Sequence, residues 1–135
     1  GIDNIYDLKV RADKLNEYLE KDGLTEVLFT FNRVINLAEK TTSTEVKRDL
    51  LVEEAEVELY ETFNDIEEKV LNCLDKKEYD KALEQFIVLK EPVDNFFDRV
   101  MVMVDEEDLR ENRLSLLGKI SETMLLICDL SKLVK

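Results

Sequence analysis

Arg11, Lys14, Tyr18 and Lys21 stand at spacings of 3, 4 and 3, so on a helix they form one cationic stripe interrupted by a ring. Arg33, Asn36 and Lys40 share a second helical face, and Lys47 and Arg48 follow. Guanidinium, carboxamide and aromatic ring are the groups that read unstacked single-stranded bases, the first two by hydrogen bonding and the last by stacking. Ammonium groups hold phosphates. A solvated helix face with i,i+4 charge pairs accounts for the same residues, and spacing does not separate the two readings. Arg110 and Arg113 are second candidates, Arg113 being as well suited to a structural salt bridge.

Other chemistry is removed by what the 135 residues lack. There is no His, which excludes Ser-His-Asp and Cys-His nucleophilic sites and imidazole zinc sites. The three glycines, Gly1, Gly23 and Gly118, are too scattered for a phosphate-cradling loop. Cys73 and Cys128 each sit in an apolar stripe and read as reduced core cysteines of a cytosolic protein. The acidic run Asp105, Glu106, Glu107 and Asp108 lacks the ligand spacing and mid-loop glycine of a calcium loop. Helix capping, with Asp105 as the cap, accounts for it better. Met101 and Met103, next to Phe96 and Phe97, read as buried packing rather than an exposed surface. The longest apolar stretches are five residues, too short to span a membrane, and no secretory segment is present.

The elements that would position these groups are helical. One proline and three glycines leave little material for hairpins. Ile5, Leu8, Ala12, Leu15 and Leu19 form a first apolar stripe, capped at Asp3 or Asn4 and ended by Gly23. Thr25 opens a second helix carrying Phe31, Val34 or Ile35, and Ala38, and Thr41, Thr42, Ser43 and Thr44 form a loop. A long third helix is expected over residues 45–74, with Val52, Ala55, Leu59, Phe63, Ile66, Val70 and Cys73 facing inward. Tyr79, Ala82, Leu83, Phe86 and Ile87 mark a fourth helix, and Pro92 stops it or starts a fifth. From Leu114 to Leu130 the last helix is apolar nearly all round, which places it mid-bundle. The expectation is all-α: one bundle of five to six helices and a single domain over residues 1–135.

Net charge is −13, yet it is unevenly spread. Residues 49–79 hold 11 acids against 3 bases, whereas residues 1–48 hold 9 against 8. Phosphate binding needs cations; a surface built from the first two helices escapes the repulsion that the third would exert. An acidic helical protein-interaction bundle without an RNA role is the alternative.

The stretch EPVDNFFDRVMVMV at 91–104, with LRENRLSLL at 109–117 and DLSKL at 129–133, is far more distinctive. It resembles the C-terminus of the bacterial glycyl-tRNA synthetase beta-subunit family, whose pattern runs P-V-D-x-F-F-D-x-V-M-V-M, then R-x-N-R-L-x-L-L. Upstream, Arg11-Ala12-x-x-Leu15 and Asn32-Arg33-Val34-x-Asn36 are similar to that family's R-A-x-x-L and K-R-x-x-N segments, Asn32 standing where Lys is commoner. The resemblance covers nearly the whole chain. It implies an anticodon-binding helical domain of a longer, cytoplasmic subunit, like the one in arginyl-tRNA synthetase, and the start at Gly1 fits an excised fragment. It implies a glycine tRNA as partner, with the rest of the beta subunit and an alpha subunit in a heterotetramer, and neither DNA nor membrane. ATP and Mg would serve the alpha subunit, leaving this domain without a cofactor. On that reading Arg11, Lys14, Arg33, Asn36 and Lys40 face the anticodon loop. Phe96, Phe97, Val100 and Met101 are core, and Asp94, Asp98, Asn112 and Arg113 are buried or bridging polar partners.

Overall fold

The computed structural model describes residues 24–132. Within them run five α-helices: α1 (Leu24–Ala38), α2 (Glu54–Asp75), α3 (Tyr79–Ile87), α4 (Lys90–Arg99) and α5 (Glu107–Lys132). A 3-10 turn at Arg48–Leu50 lies between α1 and α2, and the described residues contain no strand. The expected first helix, with Arg11, Lys14, Tyr18 and Lys21, lies outside the described residues.

α5 is the axis of the bundle. It packs against α1, α2, α3 and the 3-10 turn, and every residue from 112 to 117 on it is buried. A helix covered on all sides must dispose of its polar side chains, and two do so locally. Ser115 Oγ donates to the Glu111 carbonyl at 2.7 Å and Thr123 Oγ1 to the Lys119 carbonyl at 3.1 Å, one turn back. Gly118 admits the 41–44 loop across α5, since a Cβ there would stand 3.0 Å from the Ser43 carbonyl oxygen.

α2 buries Ala55, Leu59, Phe63, Ile66, Val70 and Leu74, a 4-4-3-4-4 stripe. It ends on Lys77, whose φ of 59° is left-handed. The Glu78 amide reaches the Cys73 carbonyl at 2.8 Å and the Lys77 amide the Leu74 carbonyl at 3.0 Å, closing the helix as a Schellman motif. From α1, Val27, Phe31, Val34 and Ile35 enter the same core, where the Phe31 and Phe86 rings lie 5.0 Å apart and join α1 to α3. Cys128 is buried and Cys73 half-buried against that core.

Three expectations are corrected. The third helix does not begin near residue 45. Asn112 Oδ1 accepts the Lys47 amide at 2.6 Å and its Nδ2 donates to the Lys47 carbonyl at 3.1 Å, occupying the groups a helix would use, and Lys47 is extended. Val52, ahead of the true start at Glu54, is exposed. The last helix begins at Glu107, with the Glu106 carbonyl accepting the Arg110 amide at 3.0 Å, so the capping position is Glu106 rather than Asp105. Met101 and Met103 are not core. They lie beyond the end of α4, where Val100 and Val102 turn inward and leave the methionines 71% and 48% exposed.

Phe96→Ala therefore lowers the unfolding free energy of this chain by about 3–5 kcal/mol, whereas Met101→Ala shifts it by no more than about 0.5 kcal/mol; urea denaturation reads both.

Candidate nucleic-acid interface

The solvent side of α1 carries Phe29, Asn32, Arg33 and Asn36, and Lys40 follows in the turn after the helix. Their spacings of 3, 1, 3 and 4 keep them on one face. Phe29 is 72% exposed, the most open ring among the described residues. The sequence candidates Arg33, Asn36 and Lys40 are thus brought together on an exposed surface.

Arg33 is held in place. Its guanidinium carbon lies 4.1 Å from the centroid of the Phe97 ring, projecting from α4. Such a stack is worth about 0.5–1 kcal/mol at an exposed site and fixes the plane of the fork while leaving its N–H edge for hydrogen bonding. Among the described residues neither Arg33, Lys40 nor Arg99 forms an ion pair. Beside the stack opens a groove of about 500 Å³ lined by Arg33, Leu37, Phe97, Arg99, Met101 and Met103, with Asp98 at its rim. Phe97, expected in the core, is half-buried as the platform under Arg33; Asp98, expected as a bridging partner, is exposed.

Asp94 sets α1 against α4. Its Oδ1 accepts the Thr30 hydroxyl at 2.7 Å, and its Oδ2 accepts the Lys90 ammonium at 2.6 Å. Both bonds serve the register that puts Arg33 over Phe97. The hydrogen bond from Lys90 to Asp94 holds the lysine above its ordinary pKa, against the opposing effect of partial burial.

Arg110 and Arg113 point elsewhere. Arg113 is buried: Nη2 pairs with Glu56 Oε1 at 2.9 Å and Nη1 donates to the Met101 carbonyl at 2.7 Å. Arg110, half-buried, donates to the Val104 carbonyl at 3.2 Å and the Asp105 carbonyl at 3.4 Å. Both hold the segment after α4. Sequence reasoning missed Phe29, Arg99, Met101, Met103 and the exposed side of Phe97. Phe29 was open to detection, standing four residues before Arg33 on its face; the others depend on how α4 docks.

No helix among the described residues is long and apolar enough to cross a membrane, and among them no group of three or more Cys, Asp and Glu is placed to hold a metal. What the face offers is a ring, two amides, an ordered guanidinium and an ammonium beside a methionine-lined groove. Residues 27–130 match the DALR anticodon binding domain, and the chain belongs to that family. Among its relatives, the glycine–tRNA ligase beta subunit of Clostridioides difficile (strain 630) is 47% identical over 133 residues, covering 98% of this chain and 19% of that protein. The beta subunit of Desulforamulus reducens is 37% identical over 134 residues, with 99% and 19% coverage. That of Thermotoga maritima is 39% identical over 124 residues, with 92% and 18%. The chain spans about a fifth of the length of these curated relatives.

Because the folded state raises the Lys90 pKa, the stability gained from the pair is fully present below lysine's ordinary 10.5 and is lost as pH rises through the raised value. Denaturation midpoints measured from about pH 9 to about pH 12 fall more steeply for the parent chain than for Lys90→Met; identical profiles would contradict the assignment.

Proposed function

We propose that this domain binds the anticodon stem-loop of a glycine tRNA through the exposed face of α1 and the adjoining groove, as the recognition domain of a glycine–tRNA ligase beta subunit. The observation that carries the reading is Arg33, stacked on Phe97, exposed, and without an acidic partner among the described residues. An ordered guanidinium reads a base edge or grips a phosphate at low entropic cost. Asn32 and Asn36 supply amides for Watson–Crick edges, Lys40 holds a phosphate, and Phe29 is a stacking platform. The groove of about 500 Å³ takes a splayed base against its methionines. Arg11, Lys14 and Tyr18 belong to the same proposal on their sequence pattern.

Electrostatics favours this face. Of the chain's excess negative charge, most sits on residues 49–79, and α2 makes its main contacts with α3, α4 and α5 rather than with α1. Membership in an anticodon-binding family and likeness to beta subunits support the same partner. In this proposal residues 1–135 act as one domain that recognises and does not make bonds. Glycine activation with ATP and Mg²⁺ belongs to a separate alpha subunit, joined with the beta subunit in a cytoplasmic heterotetramer.

In the intact ligase, Arg33→Ala weakens binding of glycine tRNA by about tenfold, and the plot of log affinity against log salt loses about one unit of slope if the lost contact is to phosphate. Lys40→Ala acts in the same direction, more weakly. If both variants leave affinity and salt slope at parental values, this face does not bind tRNA, and the acidic interaction bundle becomes the better account.

A further inference from the structure

We infer that the buried Glu56–Arg113 pair positions the groove: it sets where Met101 and Met103 stand, and through them RNA affinity, without touching RNA. The inference rests on the reading of the groove as the tRNA-binding surface.

The segment 100–106 has few means of holding itself. Its Val100 amide bonds back to the Phe96 carbonyl at 2.8 Å, closing α4. Beyond that, the carbonyls of Met101, Val104 and Asp105 are taken by guanidinium groups reaching from α5. Val100 and Val102 are buried, which points Met101 and Met103 outward into the groove wall. Arg113 holds the carbonyl of the very residue whose side chain forms that wall.

Glu56 in turn orients Arg113. Its Oε1 accepts Arg113 Nη2 at 2.9 Å and the Glu53 amide, at the start of α2, at 3.1 Å. One oxygen therefore ties the N-terminus of α2 to α5 and, through Arg113 Nη1, to the groove. The side chains are 0% and 5% exposed. Stability alone is a poor reason for such a pair: two desolvated charges seldom outperform apolar residues of the same volume. Here Glu56 Oε2 and Arg113 Nε have no hydrogen-bond partner among the described residues, which weakens the stability account further. Fixing a backbone carbonyl in place is something an apolar pair cannot do.

That difference gives the test. The double variant Glu56→Leu/Arg113→Met removes both charges and keeps the volume, so the unfolding midpoint stays near the parent's. In the intact ligase its affinity for the glycine tRNA anticodon stem-loop falls about threefold to tenfold, the range expected from losing one or two positioning hydrogen bonds. The salt slope is unchanged, because no phosphate contact is removed. Parental affinity in a folded double variant overturns the inference. Arg33→Ala, run beside it, separates the two levels: if that variant is silent, the groove reading falls and this inference with it, whereas a weakened Arg33→Ala beside a parental double variant refutes positioning alone. Should the double variant not fold, Arg110→Ala decides, since it frees the Val104 and Asp105 carbonyls and leaves the buried pair intact. A loss of about twofold or more at an unchanged unfolding midpoint supports the inference, and parental affinity overturns it.

Discussion

Arg113 is where the structure's separate requirements meet. Its charge is neutralised by a carboxylate at the start of α2, its backbone belongs to the most buried helix, and its free nitrogen secures the Met101 carbonyl. A buried guanidinium has to find partners for its donors, and here the partners are chosen so that satisfying them also shapes the surface. Its neighbour Asn112 does the equivalent on another side, clamping both backbone groups of Lys47. Together these two residues of α5 fix the irregular segments on either side of the helical core.

A second organising constraint is electrostatic. A chain carrying −13 can approach a polyanion only if the charge is partitioned. The acids concentrate on α2 and its turn, while α1 carries Glu26 and Arg33 and the groove carries Asp98 with Arg99 and Arg33. The aromatic and amide groups of the α1 face lie where repulsion is least. Asp94 contributes there as a tie rather than as surface charge, since both its oxygens are engaged by Thr30 and Lys90.

Much of this was legible in the residues. The stripe Leu59, Phe63, Ile66, Val70 has helical period and is buried as read, and the all-round apolar pattern of α5 gave its central place. The face shared by Arg33, Asn36 and Lys40 follows from spacing alone. What was hidden depends on residues far apart in sequence. Arg113 meets Glu56 across 57 positions, and Lys47 meets Asn112 across 65; the second contact overrides local helix propensity from 45 to 53. Met101 and Met103 looked like core because VMVMV is apolar throughout. Only an extended path after α4 sorts alternate residues inward and outward. The distinctive stretch from 91 to 104 therefore combines packing, at Val93 and Phe96, with the platform and wall of a groove, at Phe97, Met101 and Met103.

The central claim is that RNA lies against α1 and this groove. A photo-reactive amino acid in place of Met101, in the intact ligase bound to its tRNA, reports directly on what occupies the groove. The account predicts cross-links to anticodon-loop nucleotides, suppressed by an excess of free anticodon stem-loop. Cross-links confined to the acceptor arm, or to protein alone, would contradict it.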